Sequence, residues 1–404
     1  MRSQLIRGSI LLVGIQAIGS IIIFLASTYL VDKVGFSDFG KFSTIYGFFI
    51  LISSLSALGL PEYFQVWVAK KSAERGVLNV PVVGYLFVIL ILFTALIFAI
   101  LNQLIVDWDL RPIHFVMLPF ALIGFNASEM ACRAGFQAGY IVIPQVISSS
   151  MSVFVWIWLV LSIYIGESVN IFTVLLFSYS MLGLPAFIYL LFRFHSADIK
   201  FFLFLPSDLG KKAFLARVSM QMLDVAPLAV TQSLGVGALS GIYAYIFRLF
   251  GPIGMLSSSL IMQLQRNAFA RSKYCQISIK PFILNLAVIL LFGALLAMVS
   301  PFFLKETDNN IFGMGGGLQI LLIFLVCSYR AIFIAFQFLV QVYFQQINII
   351  SILGVIFFTL FVSLLTVNLS ASVDIKMLPI AFVGLVSFAV GLVLSNIKIG
   401  EGLQ

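Results

Sequence analysis

The sequence predicts an all-α polytopic membrane protein with about twelve transmembrane helices. Of its 404 residues, 62% are hydrophobic and only 9% are charged, and the mean hydropathy is +1.14. A soluble domain carries about 25% charged residues, so this composition excludes that class. Apolar runs of about twenty residues, the length that crosses a bilayer as a helix, recur from one end of the chain to the other.

The apolar runs divide the chain into predicted helices in order. The first run follows Arg2 and Arg7 and has no small-residue cleavage site after it, so we expect it to stay as a helix rather than to be removed as a signal peptide. The division into two helices is open at Gly139 and at Asn348. The predicted helices span residues 9–31, 42–61, 81–101, 113–137, 144–165, 170–192, 213–235, 240–262, 282–304, 318–343, 347–368 and 377–396.

Lysine and arginine residues predict the orientation of these helices. With twelve spans and a cytoplasmic N-terminus, most of the 23 cations fall in cytoplasmic segments, and Arg248 and Arg330 lie inside helices. This excess places both termini in the cytoplasm. Because the cations lie in short loops beside the membrane, we expect no nucleic-acid binding. The cations predicted to lie outside are Lys33, Lys41, Arg111, Lys305 and Lys376.

The two halves of the chain are related by a weak internal repeat. One shift places Gly40 on Gly241 and Lys70 on Arg271. Six helices per half is an even number, so both halves enter the membrane in the same sense, as in parallel repeats. We therefore predict two six-helix lobes around a central cavity, with a cytoplasmic linker near 193–212. The predicted lobes are 1–200 and 201–404.

A helical hairpin is predicted from residue 214 to about 262, with its turn at 235–241. Asp224 lies in its first arm and Arg248 in its second. Counted from the turn, Asp224 is about 16 Å and Arg248 about 10 Å inside a hydrocarbon layer about 30 Å thick. Burying either ion costs about 2.5 to 3.5 kcal/mol, so such residues usually face a bundle interior or a watered cavity.

Two interpretations of Asp224 and Arg248 stay open. The first is a structural salt bridge between them. The second is a transport switch, in which Arg248 binds the substrate while Asp224 either holds the empty arginine or takes up a proton. A lone acid among apolar residues suits the second, because burial and a neighbouring guanidinium act on its protonation in opposite directions.

Three further ions are candidates. Glu129 and Arg133 are four residues apart and therefore share a helix face, as a structural ion pair or as part of a ligand site. Arg330 lies about halfway along the predicted helix 318–343, with no acid in that helix, which predicts a side chain that faces the cavity.

Prolines next to the charged positions are candidate hinges. Proline lacks the backbone donor of a helix and bends it, and such bends suit helices that must move. Proline is also common in membrane helices without any such role. The candidate hinges are Pro61, Pro227 and Pro252.

No enzyme motif is found in the sequence. The two histidines, His114 and His195, lie at opposite faces of the membrane, and no HExxH, GxSxG or GxxxxGK[ST] pattern occurs. The cysteines Cys132, Cys275 and Cys327 lack metal-ligand spacing and are expected to pack in helices. We therefore expect no catalytic residue, no metal and no cofactor.

Two stretches resemble a known family. Residues 35–71, with GFSDFGKFSTIYGF before and LGLPEYFQVWVAKK after the second predicted helix, resemble the Wzx O-antigen flippases of the polysaccharide-transporter branch of the MATE/MOP superfamily. Across the hairpin, the acid at Asp224, the G-x-Y at Gly241 and Tyr243, and the cation at Arg248 are similar to the same family. The length and the twelve helices agree over the whole chain.

The resemblance implies a flippase of the bacterial inner membrane that works by alternating access, with an ion or proton gradient as a candidate driving force. Its substrate would be an undecaprenyl-pyrophosphate-linked oligosaccharide for lipopolysaccharide O-antigen. Membrane lipids, the O-antigen polymerase and the chain-length regulator would be its partners. Buried guanidiniums can bind pyrophosphate oxygens bidentately. The candidate substrate-binding residues are Arg248, Arg330 and Arg133, and the candidate coupling acids are Asp224 and Glu129.

Two other functions remain alternatives. A MATE-type cation or drug antiporter shares the architecture, but an acid-rich cavity would favour it, and here the mid-helix ions are two arginines and one aspartate. A membrane glycosyltransferase or O-antigen polymerase would need a large extramembrane loop. The longest outside segment is only 303–317.

Overall fold

The structure, a computed structural model, describes residues 2–57, 59, 61, 112–137, 142–165, 170–194, 208–251, 287, 291, 295, 316–343, 347–368 and 377–395. All regular secondary structure in these residues is helical, as predicted. Five of the described helices are long and apolar enough to cross a membrane, so the chain is an all-α polytopic membrane protein. These spans are Ile18–Ser56, Ile171–Tyr189, Gly210–Ser233, Ile320–Gln341 and Ile349–Asn368.

The described helices coincide with predicted ones to within a few residues at most of their ends. The predicted helices 81–101 and 282–304 fall largely or wholly outside the described residues, so the total of twelve stays a prediction. The helices are α1 (Arg2–Ser56), α2 (Pro112–Gln137), α3 (Val142–Ile165), α4 (Ile171–Phe194), α5 (Asp208–Ser233), α6 (Gly237–Leu249), α7 (Gly316–Tyr343), α8 (Ile349–Asn368) and α9 (Leu378–Leu394).

The prediction of a loop between residues 31 and 42 is wrong. Helix α1 continues through this segment and is interrupted at Gly35, where φ is 79° and ψ is 168°. Glycine adopts positive φ at little cost, so a single residue is enough to separate two helical arms. The charged side chains that suggested a loop lie on the helix surface, where Lys33 and Asp32 form an exposed ion pair at 3.5 Å.

The predicted hairpin is confirmed for its described part, with a shorter turn. Helix α5 ends in a Schellman motif around Gly235, whose φ is 73°. The N–H of Val236 donates to the Thr231 carbonyl at 3.0 Å, and the N–H of Gly235 donates to the Gln232 carbonyl at 3.1 Å. Helix α6 begins at Gly237, so residues predicted to lie in the turn form its first helical turn.

Asparagine caps define two helix starts. The side-chain oxygen of Asn170 accepts from the N–H of Phe172 at 3.0 Å, before α4. The side-chain oxygen of Asn348 accepts from the N–H of Ile350 at 3.1 Å, before α8. Such caps satisfy donors that a helix start leaves free. The predicted division into two helices at Asn348 is therefore confirmed, whereas Gly139 lies outside the described residues.

The chain forms two compact units. The first unit comprises Met1–Leu30, Phe48–Arg217 and Met262–Tyr274, and the second comprises Val31–Gly47, Val218–Ile261 and Cys275–Gln404. Helices α1 and α5 each contribute residues to both units. The predicted lobes, 1–200 and 201–404, stay a prediction.

Helices α2 and α4 pack closely in the first unit. A methyl group at Gly183 would lie 2.8 Å from the backbone carbon of Gly124, so only glycine allows this approach. Beside it, the ring of Tyr179 lies 4.9 Å from Phe49 and 5.5 Å from Phe125, between ring centroids. This aromatic contact joins α1 to the α2–α4 pair.

In the second unit, the arm of α1 that follows Gly35 packs on α6 through glycine. A methyl group at Gly40 would lie 2.6 Å from the backbone nitrogen of Gly241. The hydroxyls of Thr44 and Ser240 are 3.1 Å apart at the same contact. Small residues let membrane helices approach this closely, and hydroxyl pairs then hydrogen-bond across them. The contact leaves Phe39 and Ser43 within reach of the Arg248 side chain, which comes from the last turn of α6.

Candidate functional site

An ion pair joins α5 to α7 in the second unit. Nη1 of Arg330 donates to Oδ1 of Asp224 at 2.5 Å. The cation that this ion pair brings to Asp224 is therefore Arg330, and a direct salt bridge between Asp224 and Arg248 stays a prediction. Sequence proximity within the hairpin favoured Arg248, but its side chain extends to α1, and α7 supplies the cation that reaches Asp224.

The guanidinium of Arg330 lies between two aromatic rings. Its central carbon is 4.6 Å from the centroid of Phe247 and 5.1 Å from that of Phe333. Such cation–π contacts are strongest where water is excluded. The Nε atom of Arg330 is buried and has no hydrogen-bond partner in the described part of the chain. The N–H group at Nε of Arg330 is thus available to donate a hydrogen bond to a ligand.

Arg248 is held by backbone, hydroxyl and ring. Its Nη1 donates to the Ala244 carbonyl at 2.6 Å, and its Nη2 donates to Oγ of Ser43 at 3.2 Å. The ring of Phe39 lies 5.0 Å from its guanidinium carbon. Its place in the last turn of α6 suits a cation, because the helix dipole is negative there.

Arg248 belongs electrostatically with the pair described above, because its charge interacts with those of Asp224 and Arg330. We call these three residues the second-unit ion cluster. One carboxylate and two guanidiniums give it a net charge of one positive unit. Buried charges need compensation, so the net positive charge of such a cluster favours an anion as a ligand.

Tyr329 satisfies a backbone carbonyl that Pro227 leaves without its helical donor. Proline lacks the N–H that would bond to the carbonyl four residues earlier, which belongs to Leu223. The hydroxyl of Tyr329, from α7, donates to that carbonyl instead. Leu223 and Tyr329 each precede a member of the ion pair, so this hydrogen bond positions Asp224 against Arg330.

We expect Tyr329→Phe to lower the free energy of unfolding by about 1–3 kcal/mol, because the buried Leu223 carbonyl loses its partner. Adding Pro227→Ala should recover most of the loss, since alanine supplies the missing N–H. Thermal unfolding of the two single variants and the double variant measures this coupling. The control is Tyr164→Phe, at a tyrosine that is 77% exposed. Equal unfolding temperatures for Tyr329→Phe and Tyr164→Phe would show that the hydrogen bond contributes nothing.

A similar cluster lies in the first unit. The predicted pair of Glu129 and Arg133 is confirmed, with Oε2 of Glu129 at 3.3 Å from Nε of Arg133. Nη1 of Arg217, from α5, lies 3.5 Å from the same oxygen, and the Arg217 side chain is only 3% exposed. We call these three residues the first-unit ion cluster. It too holds one acid and two arginines.

Sequence reasoning missed Arg217 and the rings around the arginines. Arg217 had been counted among the cytoplasmic cations, although the predicted helix 213–235 already contained it. Phe247 and Tyr329 each directly precede an arginine in the sequence. This pattern of a ring next to an arginine can be interpreted only when the packing of the helices is known.

The three candidate hinges differ in how much of their surroundings the structure describes. Helix α5 runs through Pro227 without interruption. Pro252 lies outside the described residues, and the residues that follow Pro61 do too. A hinge role for any of the three stays a prediction.

The fold and site can be compared with known proteins. The chain is similar to the crystal structure of the eukaryotic MATE transporter AtDTX14, with a TM-score of 0.44 and 11% sequence identity, over 98% of this chain and 93% of that chain. No protein-family model and no curated protein matches the chain.

Proposed function

We propose that the protein is a membrane transporter, and specifically a flippase for undecaprenyl-pyrophosphate-linked oligosaccharides. The observation that carries the proposal is the second-unit ion cluster, in which Arg330 pairs with Asp224 and the charge of Arg248 interacts with both, inside apolar helices. An anionic head group would balance the excess positive charge of this cluster.

The chemistry of a pyrophosphate fits these side chains. Guanidinium is planar and always charged, and it can bind phosphate oxygens through two parallel hydrogen bonds. A pyrophosphate crossing the low-dielectric layer needs such donors to replace its water. The lipid tail can stay in the bilayer while the sugar occupies a watered cavity.

The first-unit ion cluster supports the same substrate class. Arg133 and Arg217 share one carboxylate oxygen of Glu129, so this cluster also brings two guanidiniums together. We propose Arg133 as a further anion-binding residue and Glu129, with Asp224, as an acid that changes partners during transport. The predicted hinges and the two six-helix lobes would serve alternating access, with both termini in the cytoplasm of a bacterial cell.

Deletion of the gene tests this function. In a strain without a paralogue, we expect undecaprenyl-linked repeat units to accumulate on the cytoplasmic leaflet of the inner membrane and surface polysaccharide to be lost. Mass spectrometry of lipid-linked glycan that copurifies with the protein would identify the sugar. Normal surface O-antigen in the deletion strain contradicts the proposal, and increased drug susceptibility with normal O-antigen would favour the cation antiporter.

A further inference from the structure

We propose that Asp224 is a built-in counter-ion of Arg330 that an incoming phosphate or pyrophosphate displaces. The proposal rests on the proposed function only in taking an anionic head group as the ligand. It differs from a permanent salt bridge, because the carboxylate would occupy a ligand position only while the site is empty.

The arginine has more contacts than the carboxylate. The rings of Phe247 and Phe333 hold the Arg330 guanidinium, at 4.6 and 5.1 Å from their centroids. The Arg330 side chain is 19% exposed and that of Asp224 is 36% exposed. The hydrogen bond between them joins one oxygen to one nitrogen, Oδ1 of Asp224 to Nη1 of Arg330. A carboxylate held at one point and partly exposed can leave without disturbing the arginine.

Two buried donors close to this pair lack partners. Nε of Arg330 and the hydroxyl of Tyr243 are both buried without a hydrogen-bond partner among the residues that the structure describes. The ring of Tyr243 contacts Phe247 at 5.9 Å and Tyr329 at 6.4 Å, between centroids, which places it in the aromatic group around Arg330. Buried polar groups are normally satisfied, so unmet donors point to an acceptor that binds there.

The donors without partners favour a phosphate ligand over the carboxylate of Asp224. A phosphate or pyrophosphate carries several acceptor oxygens and can bond to Nη1 and Nε of one guanidinium together, with oxygens left for a tyrosine hydroxyl, whereas the carboxylate is observed on Nη1. Exchange therefore gains hydrogen bonds for the arginine. Exchange also releases the carboxylate of Asp224. This carboxylate must then move away or be neutralised, because its surroundings are apolar.

Displacement has a measurable signature in equilibrium binding. Replacing Asp224 by asparagine removes the competitor but keeps the shape of the side chain. We expect inorganic pyrophosphate to bind the Asp224→Asn variant about tenfold more tightly than the unchanged protein, because no ion pair must be broken. In a permanent salt bridge, the same substitution would leave affinity unchanged or lower it through misplacement of Arg330.

The experiment is calorimetric titration of the purified full-length protein in nanodiscs with inorganic pyrophosphate, and in parallel with inorganic phosphate. The matched control is Asp32→Asn, which removes the same charge from a side chain that is 71% exposed. We expect no change in affinity for this control. Unchanged or weaker pyrophosphate binding by Asp224→Asn, with Asp32→Asn as reference, overturns the proposal.

A second variant keeps the test decisive if Asp224→Asn does not fold. Tyr243→Phe removes only the unpartnered hydroxyl, so the aromatic packing is retained. We expect it to weaken pyrophosphate binding at least threefold without lowering the unfolding temperature. Equal affinity in this variant overturns the assignment of the unmet donors.

The outcome is separable from that of the proposed function. Tighter binding by Asp224→Asn together with normal O-antigen in the deletion strain would keep the counter-ion and reject the flippase. Loss of O-antigen in the deletion strain together with unchanged affinity in Asp224→Asn would keep the flippase and reject the counter-ion. Tighter binding of phosphate but not of pyrophosphate would restrict the site to a single phosphate group.

Discussion

Export by Arg330→Lys is expected to fall about 100-fold while the variant still inserts and folds. Lysine keeps the positive charge and can still pair with Asp224. It loses the planar fork that binds two phosphate oxygens and stacks between Phe247 and Phe333. Hydrogen bonds to charged groups contribute about 1.5–3 kcal/mol each, and about 2.8 kcal/mol corresponds to a factor of 100.

The measurement is the rate at which new surface polysaccharide forms when each variant is expressed in the deletion strain at equal membrane levels. The control is Lys33→Arg, the reverse cation exchange at an exposed position, which should export normally. Wild-type export by Arg330→Lys would reject the arginine as an anion ligand. Recovered export in the double variant Asp224→Asn with Arg330→Gln would show that the pair is structural alone.

Most helices were predictable because their signal is local. A run of about twenty apolar residues crosses a bilayer whatever surrounds it, so α2, α4 and α7 lie close to their predicted bounds. The segment 32–41 was not predictable in this way. Its charged residues resemble a loop, and only the backbone shows that Gly35 alone interrupts α1.

The ions of the site were predictable one at a time, but their partners were not. A charge inside an apolar run stands out, so Asp224, Arg248 and Arg330 were all found. Which cation reaches Asp224 depends on which helix packs against α5, and that contact joins residues 106 positions apart. One sequence without packing information cannot distinguish α6 from α7 as the source.

The predicted internal repeat aligns two glycines that lie in one helix contact. It aligned Gly40 with Gly241, and these two residues contact each other in the second unit. The repeat itself stays a prediction.

We expect Gly241→Ala to lower the free energy of unfolding by about 3 kcal/mol, the upper part of the range for overpacking. A methyl group there would lie 2.7 Å from the backbone carbon and 3.0 Å from Cα of Phe36. Backbone atoms cannot rotate aside as a side chain does, so the two helices must separate. Phe39 and Ser43 lie on the same arm of α1 and would then move away from Arg248.

Measurements of thermal unfolding and of export rate for Gly241→Ala test this prediction, with Gly391→Ala as the control. In the described part of the chain, no atom outside the local helix lies within 4 Å of the position that a methyl group at Gly391 would take, so its replacement should lower neither. Gly40→Ala should resemble Gly241→Ala, and the double variant should lose less than the sum, because both act on one contact. An unfolding temperature for Gly241→Ala equal to that of Gly391→Ala would mean that α1 does not depend on glycine to reach α6. Arg248 would then need another explanation for its position.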